Sequence, residues 1–140
     1  IRDRCSSLLQ PDGLMLIQAI TIPEQRYEKA SRSVDFIQQY IFPGGALPSV
    51  GAISQHLAAD TDLEMVGLEE IGLHYAQTLQ LWREGFMARL NEVRAMGLDE
   101  TFIRMWEFYL AYCEGGFRER SIGTAQILLA KPRCLQDFSC

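Results

Sequence analysis

Leu14 to Ile20 reads LMLIQAI, an apolar run broken only by Gln18. A run this short, bounded by turn signals, reads as a β-strand rather than a helix. Its near-continuity suits a strand covered on both faces, as in a parallel sheet. Pro11-Asp12-Gly13 precedes it. Proline fixes one dihedral and glycine accepts the left-handed conformation, so the chain can reverse there. Polar residues and Pro23 follow. Such a strand must be buried by further layers, which points to an open α/β sheet. In these sheets ligands collect at the carboxyl ends of strands, where Gln18 and Ile20 stand.

The remaining pattern agrees. Ile1 to Gln10 reads as the last turns of a helix. Glu24 to Ile41 reads as one helix, with Tyr27, Val34, Ile37 and Ile41 at helical spacing. Phe42-Pro43-Gly44-Gly45 ends it, and Ser49 caps a short helix over Val50 to Ala59. Leu63 to Ile71 reads as a strand with Gly67 at a bulge. Tyr75 to Met96 reads as a long helix carrying Tyr75, Leu79, Trp82, Phe86, Leu90 and Val93 on one side. Gly97 ends it and Asp99 caps the next, which runs to about Phe117 with Phe102, Trp106, Tyr109, Cys113 and Phe117 on one face. Ser121 to Lys131 is a final strand. Residues 1–131 form one unit without repeats, and 132–140 form a loosely held tail.

The 140 residues are enough to bury a core. A net charge of -5 argues against a general nucleic-acid binder, which needs a basic patch. It leaves peripheral membrane contact open, because a local basic patch can sit on an acidic protein. No apolar run is long enough to span a bilayer. No signal peptide is visible and the chain does not start with Met, so a cytoplasmic segment of a larger or processed protein is expected. Cys5, Cys113, Cys134 and Cys140 lack metal-type spacing and read as reduced thiols, although Cys134 and Cys140 are close enough to oxidise together. His56 and His74 have no nucleophile motif or second histidine beside them and read as non-catalytic. Gly44-Gly45 follows a helix and a proline, so it is no dinucleotide loop. The residues alone contain no cofactor or metal site. Gln18 is read evenly as a ligand-facing amide or as a structural hydrogen-bonding group. Tyr75 and the aromatic stripe read by themselves as core.

Several segments taken together alter these odds. LLQPDGLMLI, TIPEQRY, VDFIQQYIFPGGALPS, EEIGLHYAQTLQLW and YLAYCEGGFRER occur in this order from about Cys5 to Lys131. Their order and approximate spacing resemble the C-terminal portion of cyclopropane-fatty-acyl-phospholipid synthases and mycolic acid cyclopropane synthases. These are methyltransferases that use S-adenosylmethionine (SAM). The resemblance implies an α/β fold: the C-terminal part of a Rossmann-like class I methyltransferase sheet, three strands, mixed, with large helical insertions. The last strand is then expected antiparallel between the other two.

In that family an acyl double bond attacks the activated methyl of SAM, and a bound bicarbonate is thought to serve as the base. Carried over by position, Tyr75 matches a tyrosine that contacts bicarbonate. Ile20 matches a backbone contact to it, and Gln18 stands where many synthases have histidine. Cys113 and Phe117 fall on the acyl-binding side. Gln18 can donate a hydrogen bond but cannot supply a cationic donor, which sets ring closure in question. The resemblance places the glycine-rich SAM loop and the remaining bicarbonate ligands in an N-terminal half upstream. The implied partners are an unsaturated phospholipid acyl chain, that N-terminal half, and a second copy in a homo-oligomer. Two alternatives remain: a lipid or small-molecule C-methyltransferase without ring closure, and a non-catalytic α/β module associating through its sheet edge.

Overall fold

The computed structural model describes residues 2–138. Cys140 lies outside them. The elements are α1 (Arg2–Leu8), β1 (Leu14–Thr21), α2 (Glu24–Ser31), a π-helical turn (Ile37–Ile41), α3 (Val50–Asp60), β2 (Glu64–Glu70), α4 (Gly72–Met87), α5 (Leu90–Ala95), α6 (Glu100–Arg118) and β3 (Gly123–Ala130). The strand order is β1-β3-β2, with both ladders antiparallel. The last strand therefore lies reversed between two that run in one direction, as the resemblance implied. The described residues thus form a three-stranded sheet with helices around it.

β3 is the spine. Ile127 and Leu129 are fully inaccessible and Ala125 nearly so. These residues face α3, where Ile53 and Leu57, with Leu63 just before β2, complete a core that Met15, Ile17 and Ala19 of β1 join. The alternate residues of β1 (Leu16, Gln18 and Ile20) share the opposite face. That face is only partly covered: Leu16 is 61 % exposed, whereas Ile20 packs under α4 and α6. β1 is thus not buried on both faces, as its near-continuous apolar run suggested. Among the described residues it pairs on one side only, with β3.

Most local signals act where their chemistry places them. Ser49 accepts from Ala52 N–H at 3.0 Å and caps α3, and Asp99 accepts from Phe102 N–H at 2.8 Å and caps α6. Gly44 and Gly97 have φ of +79° and +84°, a region that only glycine enters without strain. The bulge in β2 falls between Met65 and Gly67, leaving Val66 without a partner in the register.

Two long helices are broken. The expected Glu24–Ile41 helix stops at Ser31, where Arg32 and Ser33 N–H bond three residues back and the Ser31 and Ser33 hydroxyls compete by donating to the Glu28 and Ala30 carbonyls. A new turn then starts at Asp35. Its carboxylate accepts from Gln38 N–H at 2.8 Å while the Gln38 side chain accepts from Asp35 N–H at 3.0 Å, a capping box. The Tyr75–Met96 helix breaks after Met87 and resumes at Leu90. No residue type at Ala88 or Arg89 requires that break.

The start of the tail is tied down. Lys131 N–H donates to Gly13 O at 3.0 Å and Arg133 N–H to Pro11 O at 3.2 Å. Lys131 Nζ also donates to both Asp62 oxygens at 2.7 Å and to Ser6, whose hydroxyl reaches Asp62 at 2.6 Å. The hydrogen bonds from Lys131 and Ser6 hold Asp62 below the usual carboxylate range. A lowered carboxylate stabilises the fold above its ordinary value and stops doing so as pH falls through the lowered one. Acidification below about 4 should therefore loosen α1 in the wild type, and Asp62→Asn should flatten that dependence in chemical denaturation. Leu129→Ala should cost about 2–5 kcal/mol in the same assay, because it empties a fully enclosed site.

Candidate functional site

The carboxyl end of β1 is built as a joint. Ile22 N–H donates to Pro48 O at 3.0 Å, which brings Leu47-Pro48-Ser49 against the strand exit. Glu24 then accepts from the Ser49 hydroxyl at 2.8 Å and from Gly51 N–H at 3.1 Å. A Cβ at Gly51 would lie 2.7 Å from the Glu24 carboxylate, so this close approach needs glycine. The buried Ser49 thereby links β1, α2 and α3 behind Ile20.

Tyr75 enters from the other side, in the first turn of α4. Ile71 N–H donates to Thr124 O at 2.8 Å, and Tyr75 N–H donates to Ile71 O at 3.0 Å. Thr124 is the register partner of Ile20. Two backbone links therefore set Tyr75 near the end of β1. Its ring lies 5.2 Å from that of Phe117 and 6.5 Å from that of Trp82.

The apolar face of α6 closes the cluster. Phe102 stacks on Trp106 at 5.7 Å, Trp106 meets Tyr109 at 5.0 Å, and Tyr109 meets Phe42 edge-on at 6.1 Å. Ile20, Tyr75, Trp106, Tyr109 and Cys113 pack together against buried Ala76, Leu79, Leu110 and Phe117. Phe36, the residue before the π-helical turn, packs on the neighbouring side of α6, its ring 4.8 Å from that of Phe108. Burial raises the Tyr109 phenol, with Cys113 and Tyr75 adding to the effect. Burial also pushes the Cys113 thiol up to about 11, and the Asp35 carboxylate adds to it. Both groups are neutral at physiological pH, so the lining is apolar and unreactive.

Of the five residues singled out from the sequence, four meet here. Ile20, Tyr75, Cys113 and Phe117 share one cluster, with Phe117, 2 % exposed, in the core beneath the Tyr75 ring. Gln18 lies two residues before Ile20 on the same strand face, is exposed, and accepts from Gln126 Nε2 at 3.1 Å. This hydrogen bond runs along the sheet, to β3, rather than toward Tyr75. Thr124 Oγ1, in the residue opposite Ile20, is buried without a hydrogen-bond partner among them.

Three acidic residues that organise the site escaped the sequence reading. Glu24 caps α3, and Glu70 accepts from the Gly72 and Thr124 amides. Glu114, nearly buried on α6, takes Arg118 at 2.9 Å and Arg83 of α4 at 3.2 Å. Arg118 also donates to Gln80 at 2.7 Å. This network clamps α4 to α6. Glu114 and Arg118 were legible as an i,i+4 pair, but Arg83 joins them only through packing.

The sequence profile of the mycolic acid cyclopropane synthetase family matches residues 2–127. The chain belongs to this family. Tuberculostearic acid methyltransferase UfaA1 of Mycobacterium tuberculosis is 45 % identical over 124 residues, covering 89 % of this chain and 29 % of that protein. The cyclopropane-fatty-acyl-phospholipid synthase of Escherichia coli is 36 % identical over 124 residues, covering 88 % and 30 %. Mycolic acid cyclopropane synthase CmaA1, solved with SAH and CTAB, superposes with a TM-score of 0.79 at 28 % identity, covering 93 % of this chain and 50 % of that one. The chain thus spans under a third of the length of these two curated relatives and half of this solved family member. Among the described residues, no helix is long and apolar enough to cross a membrane.

The raised Cys113 thiol gives a pH test. Its alkylation rate, followed by mass spectrometry, should rise with pH until about 11 rather than levelling near the ordinary value of 9.0. The sign for stability follows. The unfolded thiol ionises first, so stability is full below 9.0 and declines as pH rises toward 11. Cys113→Ala should remove that component.

Proposed function

We propose that this chain is the acyl-substrate side of a SAM-dependent methyltransferase that adds a one-carbon unit to the double bond of unsaturated lipid acyl chains. The observation that carries this reading is the convergence of Ile20, Tyr75 and Cys113 on one largely apolar, aromatic cluster. A hydrocarbon chain needs an apolar slot with few polar groups, and a neutral thiol and phenols add little polarity. The aromatic faces of Tyr75, Tyr109 and Trp106 also suit positive charge developing on the acyl chain, because their quadrupoles attract cations.

When bound, SAM supplies the activated methyl, and a small oxyanion such as bicarbonate supplies the base. The donors on this side that suit such an anion are the Tyr75 hydroxyl and the unpartnered hydroxyl of Thr124, with the Gln18 amide further along the same strand face. Tyr75 orients it, with its ring backed by Phe117. The SAM site itself belongs to an upstream half. Activity therefore requires the full-length protein that carries this chain.

A second reading is transfer of the carbon without ring closure, giving a branched or methylene lipid. Gln18 favours it, since an exposed neutral amide paired to Gln126 holds an anion less firmly than a cationic donor would. The similarity to a protein named as a tuberculostearic acid methyltransferase supports the same outcome. Lipids from cells expressing the full-length protein decide between the two. Cyclopropane ring protons in the NMR spectrum support the first, and methyl or methylene branches support the second. Unmodified lipids would overturn both.

Tyr75→Phe in the full-length enzyme should lower turnover by about 10²-fold, the scale of a lost catalytic group, while the melting temperature moves little. Unchanged turnover would remove Tyr75 from the site. Residues 1–140 alone should self-associate through the unpaired β1 edge and its exposed Leu16, since such edges template pairing. They should also fail to bind SAM. Sedimentation and SAM titration check both, and a monomer that binds SAM would contradict the assignment of the SAM site to another segment.

A further inference from the structure

We infer that Glu70 is a positioning residue for Tyr75. This rests on the reading of Tyr75 as part of the proposed site. α4 has no side-chain cap at Ile71, the residue before its first turn. The leading N–H groups of a helix have no partners within it. Glu70, one residue further back, supplies the missing acceptor. Its Oε1 accepts from Gly72 N–H at 2.9 Å and from Thr124 N–H at 3.1 Å. One carboxylate oxygen thus joins the end of β2, the start of α4 and the start of β3. Its negative charge at a helix N-terminus is also favourable.

The corner is shaped around that oxygen. A Cβ at Gly72 would lie 2.5 Å from Glu70 Oε1, and one at Gly123 would lie 2.9 Å from it. The Gly72 Cβ would also crowd Phe117 at 3.3 Å, the ring that backs Tyr75. Glycine on both sides leaves the carboxylate its place. Ile71 N–H on Thr124 O completes the corner, so both backbone polar groups of Thr124 face it. Tyr75 follows directly, because its N–H bonds Ile71 O. Thr124 stands opposite Ile20 in the register. Glu70 therefore sets the distance between Tyr75 and the end of β1 without touching substrate. A small displacement there matters, because misplacing a reacting group by about 1 Å can cost about 10²-fold in rate.

The test uses the full-length protein that carries this chain, with SAM and unsaturated phospholipid vesicles as substrates. Glu70→Ala should lower kcat by about tenfold or more, an effect of misplacement, and leave KM for SAM within about twofold, because uniform SAM binding is untouched. Glu70→Gln keeps an acceptor oxygen and should recover most of kcat. Gly123→Ala should displace the carboxylate and reproduce the loss, and the double variant Glu70→Ala/Gly123→Ala should be no worse than either single one. Amide exchange at Gly72 and Thr124 should quicken in Glu70→Ala and stay slow in Glu70→Gln. Wild-type kcat in Glu70→Ala, with Tyr75→Phe impaired, would overturn the inference. Equal losses in Glu70→Ala and Glu70→Gln would overturn it as well. If Tyr75→Phe retains full turnover, the functional reading fails instead, and amide exchange still decides whether Glu70 holds the corner. If Glu70→Ala does not fold, Glu70→Gln and Gly123→Ala decide by kcat.

Discussion

The pairing of β3 between β1 and β2 is the constraint on which the rest depends. Every strand hydrogen bond among the described residues involves it. Its alternate residues Ala125, Ile127 and Leu129 form the centre of the main core. Sheet pairing is directional and core burial is not, so the ladder sets the register and the apolar side chains stabilise it. Once Ile20 lies opposite Thr124, the position of Ile71 and of α4 follows from the backbone bond between Ile71 and Thr124.

The second layer of organisation is electrostatic and local. Glu24, Glu70 and Glu114 each hold a different junction near the candidate site. Two cap backbone amides and one joins a pair of helices through arginines. Carboxylates suit these tasks because each oxygen accepts more than one hydrogen bond. The cluster between α4 and α6 is then built of aromatic and aliphatic side chains, with Cys113 among them. That separation of polar junctions from an apolar interior is what an acyl-chain site requires.

Much of this was legible in the residues. Ser49, Asp99, Gly44 and Gly97 mark caps and turns whose chemistry is local, and the structure places them so. The periodicity on α6 revealed the aromatic face. The break between α2 and the π-helical turn had a readable signal in Asp35 and Gln38, an acceptor followed three residues later by its reciprocal partner. The break after Met87 had none. The apolar run of β1 suggested cover on both faces, yet the run records only the side chains. It does not record how many neighbours the strand has within the described chain.

The sequence by itself determined the strands, most helices and their caps, the α/β class and the family, because these follow from short-range dihedral preferences and from motifs in fixed order. It also singled out Ile20, Tyr75, Cys113 and Phe117, though only by resemblance. The tertiary structure alone decided that these four share one cluster while Gln18 stands outside it, and that Glu70 reaches across to Thr124, 54 residues away. The reason is physical. A side chain's long-range partner depends on the register of the ladder and the packing of helices upon it, and neither is encoded in the spacing of any one segment.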